Sequence, residues 1–434
     1  MRDMDSLTRA AARLPAWRGE AGARIMARLD ALARHSSEAD ALTRLYLTDA
    51  HRDALATLGA WMREAGLAVR QDEVGNLIGR REGTAPGLPA LLLGSHVDTV
   101  RNAGKYDGPL GIVAAIEAVA RLNDTPLPFA IEILALGDEE GVRFPAALTG
   151  ARAFAGTLDP ATLAATDAEG ITMRAALEAF GGSPDRIAAA ARHERDVLAY
   201  LELHIEQGPV LEAEGLPVGI VTAIAGAERH VIEVTGVAGH AGTVPMALRH
   251  DALAAGAEMV LAAERIARET TDLVATVGQM TALPGAVNVI PSAARFSLDI
   301  RSPSDAVRRD AVARLFMHWR EIAARRGVTL SSRKNFEEEA APCAPALMAL
   351  LDAAVTRAGV RVRHLPSGAG HDGLAIASLC PIGMLFLRCR GGISHNPAEA
   401  IAEEDAGLAA CILADTLRHF DPAPFASHAQ TIKD

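Results

Sequence analysis

The sequence predicts an α/β protein with a smaller α+β unit inserted into it, and three observations carry that prediction. Short apolar runs at 91–93, 129–136 and 201–205 lead into glycine, histidine or carboxylate residues, the pattern of sheets whose sites lie outside the carboxyl ends of their strands. From about residue 223 the order of elements changes to β-α-β-β-α-β, the ferredoxin-like unit. A chain of 434 residues also exceeds what one compact core accommodates. The expected division is 1–222 and 334–434 for the larger domain, with 223–333 inserted between its halves.

Taken in order, residues 1 to about 66 read as helical. Ile25, Leu29 and Leu32 stand at helical spacing; Leu55, Leu58, Trp61 and Met62 follow a cap at Thr48 or Asp49, and Gly66 is the stop. Alternation over 67–80 around Gly75-Asn76 predicts two strands joined by a turn. The leucine run ending at Gly94 predicts a buried strand, and period-2 geometry puts His96 and Asp98 on one face before a loop delivers Asp107. Gly108 and Pro109 open an apolar helix to about 122, with proline in its favoured first turn. A second buried strand, 129–136, runs into Asp138-Glu139-Glu140. The alanine-rich stretch 160–196 reads as helix, and a third strand brings His204. In the inserted unit, strands are expected at 230–237, 273–281, 294–301 and 328–332, with helices at 251–268 and 305–326. Ala294, Phe296, Leu298 and Ile300 alternate with polar residues, which leaves one sheet face for solvent or a second subunit. A helix at 345–358, a strand to His364, the loop 366–373, a strand at 381–388, the loop 391–397 and a helix at 403–418 close the chain.

Composition removes several function classes. A net charge of -11 gives no broad basic footprint, so neither nucleic acid nor an anionic membrane is an expected partner. No run approaches the roughly 18 apolar residues of a membrane span, and the N-terminus lacks an apolar signal core, so a cytoplasmic protein is expected. The four cysteines lack C-x-x-C spacing and read as buried thiols. Neither G-x-S-x-G nor H-E-x-x-H occurs. The G-x-G-x-x-G at 368–373 has no acidic residue about 20 positions on, which a dinucleotide site needs.

The strand-end residues form a set. His96, Asp107, Glu140, His204 and His395 come from five segments, and neutral imidazole with ionised carboxylate suits zinc, manganese or cobalt. A binuclear site uses about this set, one carboxylate bridging ions roughly 3.5 to 4 Å apart. Glu139 remains free for general acid/base work, and Asp98 is expected to orient His96 through its other ring nitrogen.

GSHVDTV with KYDGPLG, DEEGVRF, HIEQGPVLE, GHAGTVPM, VNVIPS with SLDIR, SGAGHDG and GGISHNPAE together resemble one amidohydrolase group. It contains allantoate amidohydrolase, N-carbamoyl-L-amino-acid hydrolase and β-ureidopropionase, within the aminoacylase/carboxypeptidase-type binuclear metallopeptidase clan. The resemblance runs from about residue 20 to 420. It implies a zinc-peptidase-like catalytic domain, its mixed central sheet flanked by helices, interrupted by a ferredoxin-like dimerisation or lid domain. Residue by residue it implies His96 and His204 on one ion, Glu140 and His395 on the other, Asp107 as the bridge and Glu139 as general base. Gln207, His240, Asn288 and Arg301 match substrate-binding positions, and the glycine-rich loop that contains Gly370 is expected to let backbone amides approach the substrate's carboxylate. Asp98 and His240 are also placed in catalysis, His240 reaching the site of a partner subunit. The implied cofactors are two divalent ions per subunit, zinc or manganese, with cobalt or nickel as further options. The implied partners are a small ureido acid and a second copy of the chain.

The resemblance also implies the ureido-cleaving branch, because peptidases and deacylases of the clan commonly place a carboxylate where this chain has His204 in HIEQG. Hydrolysis of a ureido C–N bond follows, with allantoate as first substrate, giving ureidoglycine, ammonia and carbon dioxide. N-carbamoyl-L-amino acids and N-carbamoyl-β-alanine are the alternatives; an aminoacylase or dipeptidase, or a non-catalytic binding protein of the same fold, ranks below them. Arg388-Cys389-Arg390 departs from the small or apolar residues expected before the last ligand, which bears on the shape of the pocket floor.

Overall fold

The computed structural model describes residues 2–122 and 125–426, with side chains from Trp17 onward. The chain divides into two compact units, one of Met1–Thr222, Cys343–Leu365 and His371–Asp434, the other of Ala223–Pro342 and Pro366–Gly370.

The first unit opens with helices α1 (Arg2–Leu32) and α2 (Asp49–Glu64). Thr48 caps α2 by accepting the His51 N–H, and Leu55, Leu58 and Met62 bury one face. Strands β1 (Ala68–Gln71) and β2 (Leu77–Arg81) form an antiparallel hairpin, with Gly75 at φ +92° in its turn. Then come β3 (Ala90–His96), helix α3 (Pro109–Ala120), β4 (Ala130–Leu136), helices α4 (Thr149–Ala155) and α5 (Met173–Phe180), β5 (Val197–Ile205), the short helix α6 (Val210–Ala213) and β6 (Val218–Ile224). The expected helix over 160–196 is corrected here. Only α5 is α-helical, flanked by 3-10 turns, because Pro160, Gly170, Gly181-Gly182 and Pro184 interrupt it.

The second unit carries β7 (Gly226–Thr235), β8 (Gly239–His240), α7 (Ala252–Glu269), β9 (Val274–Thr276), β10 (Met280–Leu283), β11 (Val289–Ile290), β12 (Ala293–Ser302), α8 (Asp305–Arg326), β13 (Thr329–Glu338) and β14 (Ala341–Pro342). Its main sheet runs β10-β12-β7-β13 and is antiparallel, with β9 also paired to β12. Ala294, Phe296, Leu298 and Ile300 turn into a core with Trp319 of α8 and Met259 of α7. The strand expected over 273–281 is split in two around Gly278.

The chain then adds α9 (Pro345–Arg357), β15 (His364–Ser367), α10 (Gly373–Ile376), β16 (Ile382–Leu387), α11 (Glu403–His419) and α12 (Ala423–Ala426). The large mixed sheet has the order β1-β2-β4-β3-β5-β16-β6. Its four central strands, β4, β3, β5 and β16, are mutually parallel, and every residue of each is buried, as expected for strands covered on both faces. Parallel pairing is what places the site: the carboxyl ends of β3, β4, β5 and β16 open on one side of the sheet. All four cysteines are free, and burial pushes their thiols up to about 11 or 12. No helix among the described residues is long and apolar enough to cross a membrane.

Candidate metal centre

His96 is the last residue of β3, and His204 lies one residue from the end of β5. Glu139 and Glu140 follow β4, and His395 sits in the loop after β16. Asp107 immediately precedes Gly108, the N-cap of α3. All belong to the first unit, and the structure brings the five ligand candidates together. His96, Asp107 and His204 offer donor atoms within 4.8 Å of one another, and so do Asp107, Glu140 and His395. Asp107 is the shared member. Its Oδ1 lies 3.1 Å from His204 Nε2 and 3.4 Å from His96 Nε2, while its Oδ2 lies 3.4 Å from His395 Nε2. Glu140 Oε2 stands 3.5 Å from the same His395 nitrogen.

The ring orientations fit a cation. His96 Nδ1 faces the Asp98 main-chain oxygen at 3.0 Å, and His204 Nδ1 faces the Ile205 oxygen at 2.9 Å, so each Nδ1 carries the hydrogen. The neutral rings then turn their Nε2 lone pairs toward a carboxylate oxygen. His204 Nε2 is buried, and its contact with Asp107 lacks hydrogen-bond geometry. Two acceptors at such distances require positive charge between or on them. The ionisation of the metal-free chain says the same: although burial opposes it, the neighbouring carboxylates raise the imidazoles of His96 and His204 above their usual range. Burial likewise opposes ionisation of Asp107, but His204, His395 and His96 together hold its carboxyl well below the usual range. Burial and then the Asp107 charge push Glu140 up to about 7. This donor set suits a pair of divalent ions.

Asp98 behaves differently from the sequence expectation. Its carboxylate is 3.9 Å from His96 Nδ1, and the main-chain oxygen makes the ring contact instead. The carboxylate accepts the main-chain N–H groups of Glu139 (3.2 Å) and Glu140 (3.3 Å), so it fixes the acidic turn after β4. Glu139 keeps some solvent exposure, yet burial and then the nearby Glu140 charge raise its carboxyl well above the usual range. Gln207, at φ +56°, donates from Nε2 to Asp107 Oδ2 at 2.7 Å, while its buried Oε1 has no partner among the described residues.

His240, Asn288, Arg301 and Gly370 belong to the second unit. His240 and Asn288 meet on the two-stranded ribbon of β8 and β11, where Ala241 N–H donates to the Asn288 oxygen at 2.9 Å. His240 Nδ1 accepts from Gly242 N–H at 3.1 Å, which leaves Nε2 as the donor. The guanidinium of Arg301, at a position matched to substrate binding, is not free. Its Nε and one terminal nitrogen pair with Asp299 at 2.7 and 3.0 Å, and the other donates to Gly368 at 2.9 Å, beside Gly370.

Several supporting residues carried no expectation. Glu202 accepts from Ser95 Oγ at 2.9 Å and Gly373 N–H at 3.3 Å, and His371 packs edge-on against His204 with ring centroids 4.4 Å apart. Ser394 and Glu399 reach Asp107. For Glu202 a signal existed: in LELHIEQG it shares a strand face with His204.

The profile of Peptidase family M20/M25/M40 matches residues 92–419. An N-carbamoyl-L-amino acid amidohydrolase of Geobacillus stearothermophilus is 44% identical over 378 residues, covering 87% of this chain and 92% of that protein. Allantoate deiminase of Arabidopsis thaliana is 37% identical over 427 residues, covering 90% and 81%. Among solved structures, an amidase of the hydantoinase/carbamoylase family from Burkholderia multivorans superposes with a TM-score of 0.86 at 33% identity, covering 91% and 97%. The chain therefore belongs to peptidase family M20/M25/M40.

Proposed function

We propose that the protein is a two-metal amidohydrolase that cleaves the ureido C–N bond of an N-carbamoyl compound bearing a carboxylate. The observation that carries the reading is Asp107 shared between two ligand groups, with Glu139 beside them and outside the Asp107 groups. His96, His204 and Asp107 would hold one divalent ion, and Asp107, Glu140 and His395 the other. Bound there, the ions supply Lewis-acid polarisation of the ureido carbonyl and a water acidic enough to ionise near neutral pH. Glu139, which stands beside both groups, would take a proton from the attacking water and return it to the departing nitrogen. Gln207 Oε1 is free to accept an N–H of the ureido group. In the second unit, His240 Nε2 and Asn288 would donate to the carbonyl oxygen as it gains charge, and Arg301 with the Gly370 loop would hold the substrate carboxylate through its remaining terminal N–H groups. The reading includes a cytoplasmic homodimer in which His240 serves the partner's site.

Two substrates of this class compete. The motifs HIEQGPVLE, GHAGTVPM and GGISHNPAE point to allantoate, whereas the 44% identity to an N-carbamoyl-L-amino acid amidohydrolase favours N-carbamoyl-L-amino acids. The test is ammonia release from allantoate, N-carbamoyl-L-amino acids, N-carbamoyl-β-alanine and an N-acetyl amino acid, before and after chelation and metal replacement. Activity confined to the N-acetyl compound, or surviving complete chelation, overturns the reading.

A further inference from the structure

We infer that Glu399 is a positioning residue for Asp107, acting on its main chain directly and on its side chain through Ser394. The inference rests on the two-metal reading above. Glu399 is 5% exposed, and its Oε1 accepts the main-chain N–H groups of Tyr106 (2.7 Å) and Asp107 (3.1 Å). The Ser394 hydroxyl stands between Glu399 Oε2, 3.2 Å away, and Asp107 Oδ2. One carboxylate therefore fixes where the Asp107 peptide begins and, through one hydroxyl, where its metal-facing oxygen ends.

The same contact ties the two halves of the second ligand group together. Asp107 leaves the loop after β3, whereas Ser394 is the neighbour of His395 in the loop after β16. That loop is held in an uncommon backbone: Gly391 and Gly392 have φ +65°, and His395, with a side chain to accommodate, has φ +53°. A non-glycine residue keeps such a conformation only where its surroundings impose it. Gly104 gives independent support, because a Cβ there would overlap the Glu399 side chain. Its φ is not in the left-handed region, so glycine at this position makes room for the carboxylate and is not needed for a turn.

The experiment titrates metal-stripped protein with Zn²⁺ by calorimetry, with elemental analysis of stoichiometry and thermal denaturation of the metal-free chains. Wild type should take up two ions per chain. Glu399→Ala should lose affinity by about 10- to 100-fold, the usual cost of removing a partner that orients a ligand. Glu399→Gln keeps an oxygen for both N–H groups and an amide facing Ser394, so it should recover most of that loss. Ser394→Ala should weaken chiefly one of the two binding steps, that of the Asp107, Glu140 and His395 group. A residue that merely supports the fold would lower the metal-free melting temperature without separating glutamine from alanine in metal affinity. Wild-type affinity in Glu399→Ala, or equal losses in the two Glu399 variants, overturns the inference. Should Glu399→Ala fail to fold, Ser394→Ala decides, and unchanged affinity there is equally fatal. Wild type binding fewer than two ions removes the two-metal reading and this inference with it.

Discussion

Replacing Gly108 by alanine asks how closely the position of His96 is set. Gly108 caps α3 at φ +82° and ψ −66°, a rare γ-turn conformation that costs a residue with a Cβ roughly 1 to 3 kcal/mol. Space is the harder constraint. A Cβ built there lies 2.5 Å from His96 Cε1, 2.6 Å from its Nδ1 and 2.6 Å from its main-chain oxygen. Restoring the first contact to 3.4 Å, the near edge of ordinary packing, moves the ring by roughly 0.9 Å. A stability loss of about 2 kcal/mol follows from strain and repacking. A displacement near 1 Å in a catalytic group costs on the order of 10²-fold in rate. The assay pairs urea denaturation of the metal-free protein with ammonia release and Zn²⁺ titration. Wild-type turnover and Zn²⁺ affinity, with only stability reduced, would refute the argument that His96 must sit where Gly108 lets it.

Glu139→Gln should retain both ions and lose about 10²- to 10⁴-fold in kcat, read by elemental analysis beside steady-state rates; near-normal turnover removes Glu139 from the base role. In the metal-free protein Glu140 titrates at about 7, and the imidazoles of His96, His204 and His395 are raised, so the native state holds protons that the unfolded chain releases at lower pH. Their contribution to metal-free stability is thus lost as pH rises from the ordinary glutamate range through the folded pKa values. Bound ions replace those protons, so the gain in melting temperature on adding Zn²⁺ should grow from about pH 5.5 to about pH 8; a gain that shrinks contradicts the site. Under the proposed homodimer with a shared site, mixed His240→Ala and Glu139→Gln chains should recover up to about a quarter of wild-type activity, since random pairing would make about half the dimers mixed and give each one complete site. Mixed dimers without recovered activity exclude a shared site.

The residues of the candidate metal centre stand out in the sequence because they sit where apolar strands stop. Leu91–Leu93 and the run before Gly137 show a parallel core without alternation, and the chemistry begins where that core ends. The stretch 160–196 misled because alanine scores as helix former while prolines and paired glycines decide the backbone. Asp98 was read through its carboxylate because sequence carries no information on which oxygen of a residue meets a ring; the main-chain oxygen did so, freeing the side chain for the acidic turn. Arg301 and Asp299 share one face of β12, yet nothing in the alternation says that the two pair with each other before any substrate carboxylate. Glu399 closes the stretch GGISHNPAE, where nothing local marks it for a role. Its partners, Tyr106 and Asp107, are far away in sequence and meet it only in the fold.

The central claim is that Asp107 joins two ion sites. Equilibrium dialysis against Zn²⁺ with elemental analysis, on wild type and Asp107→Asn, tests it most directly. The account predicts two ions per wild-type chain and fewer than two in the variant, with ureido hydrolysis lost in parallel. An Asp107→Asn protein that keeps two ions and wild-type turnover would contradict it.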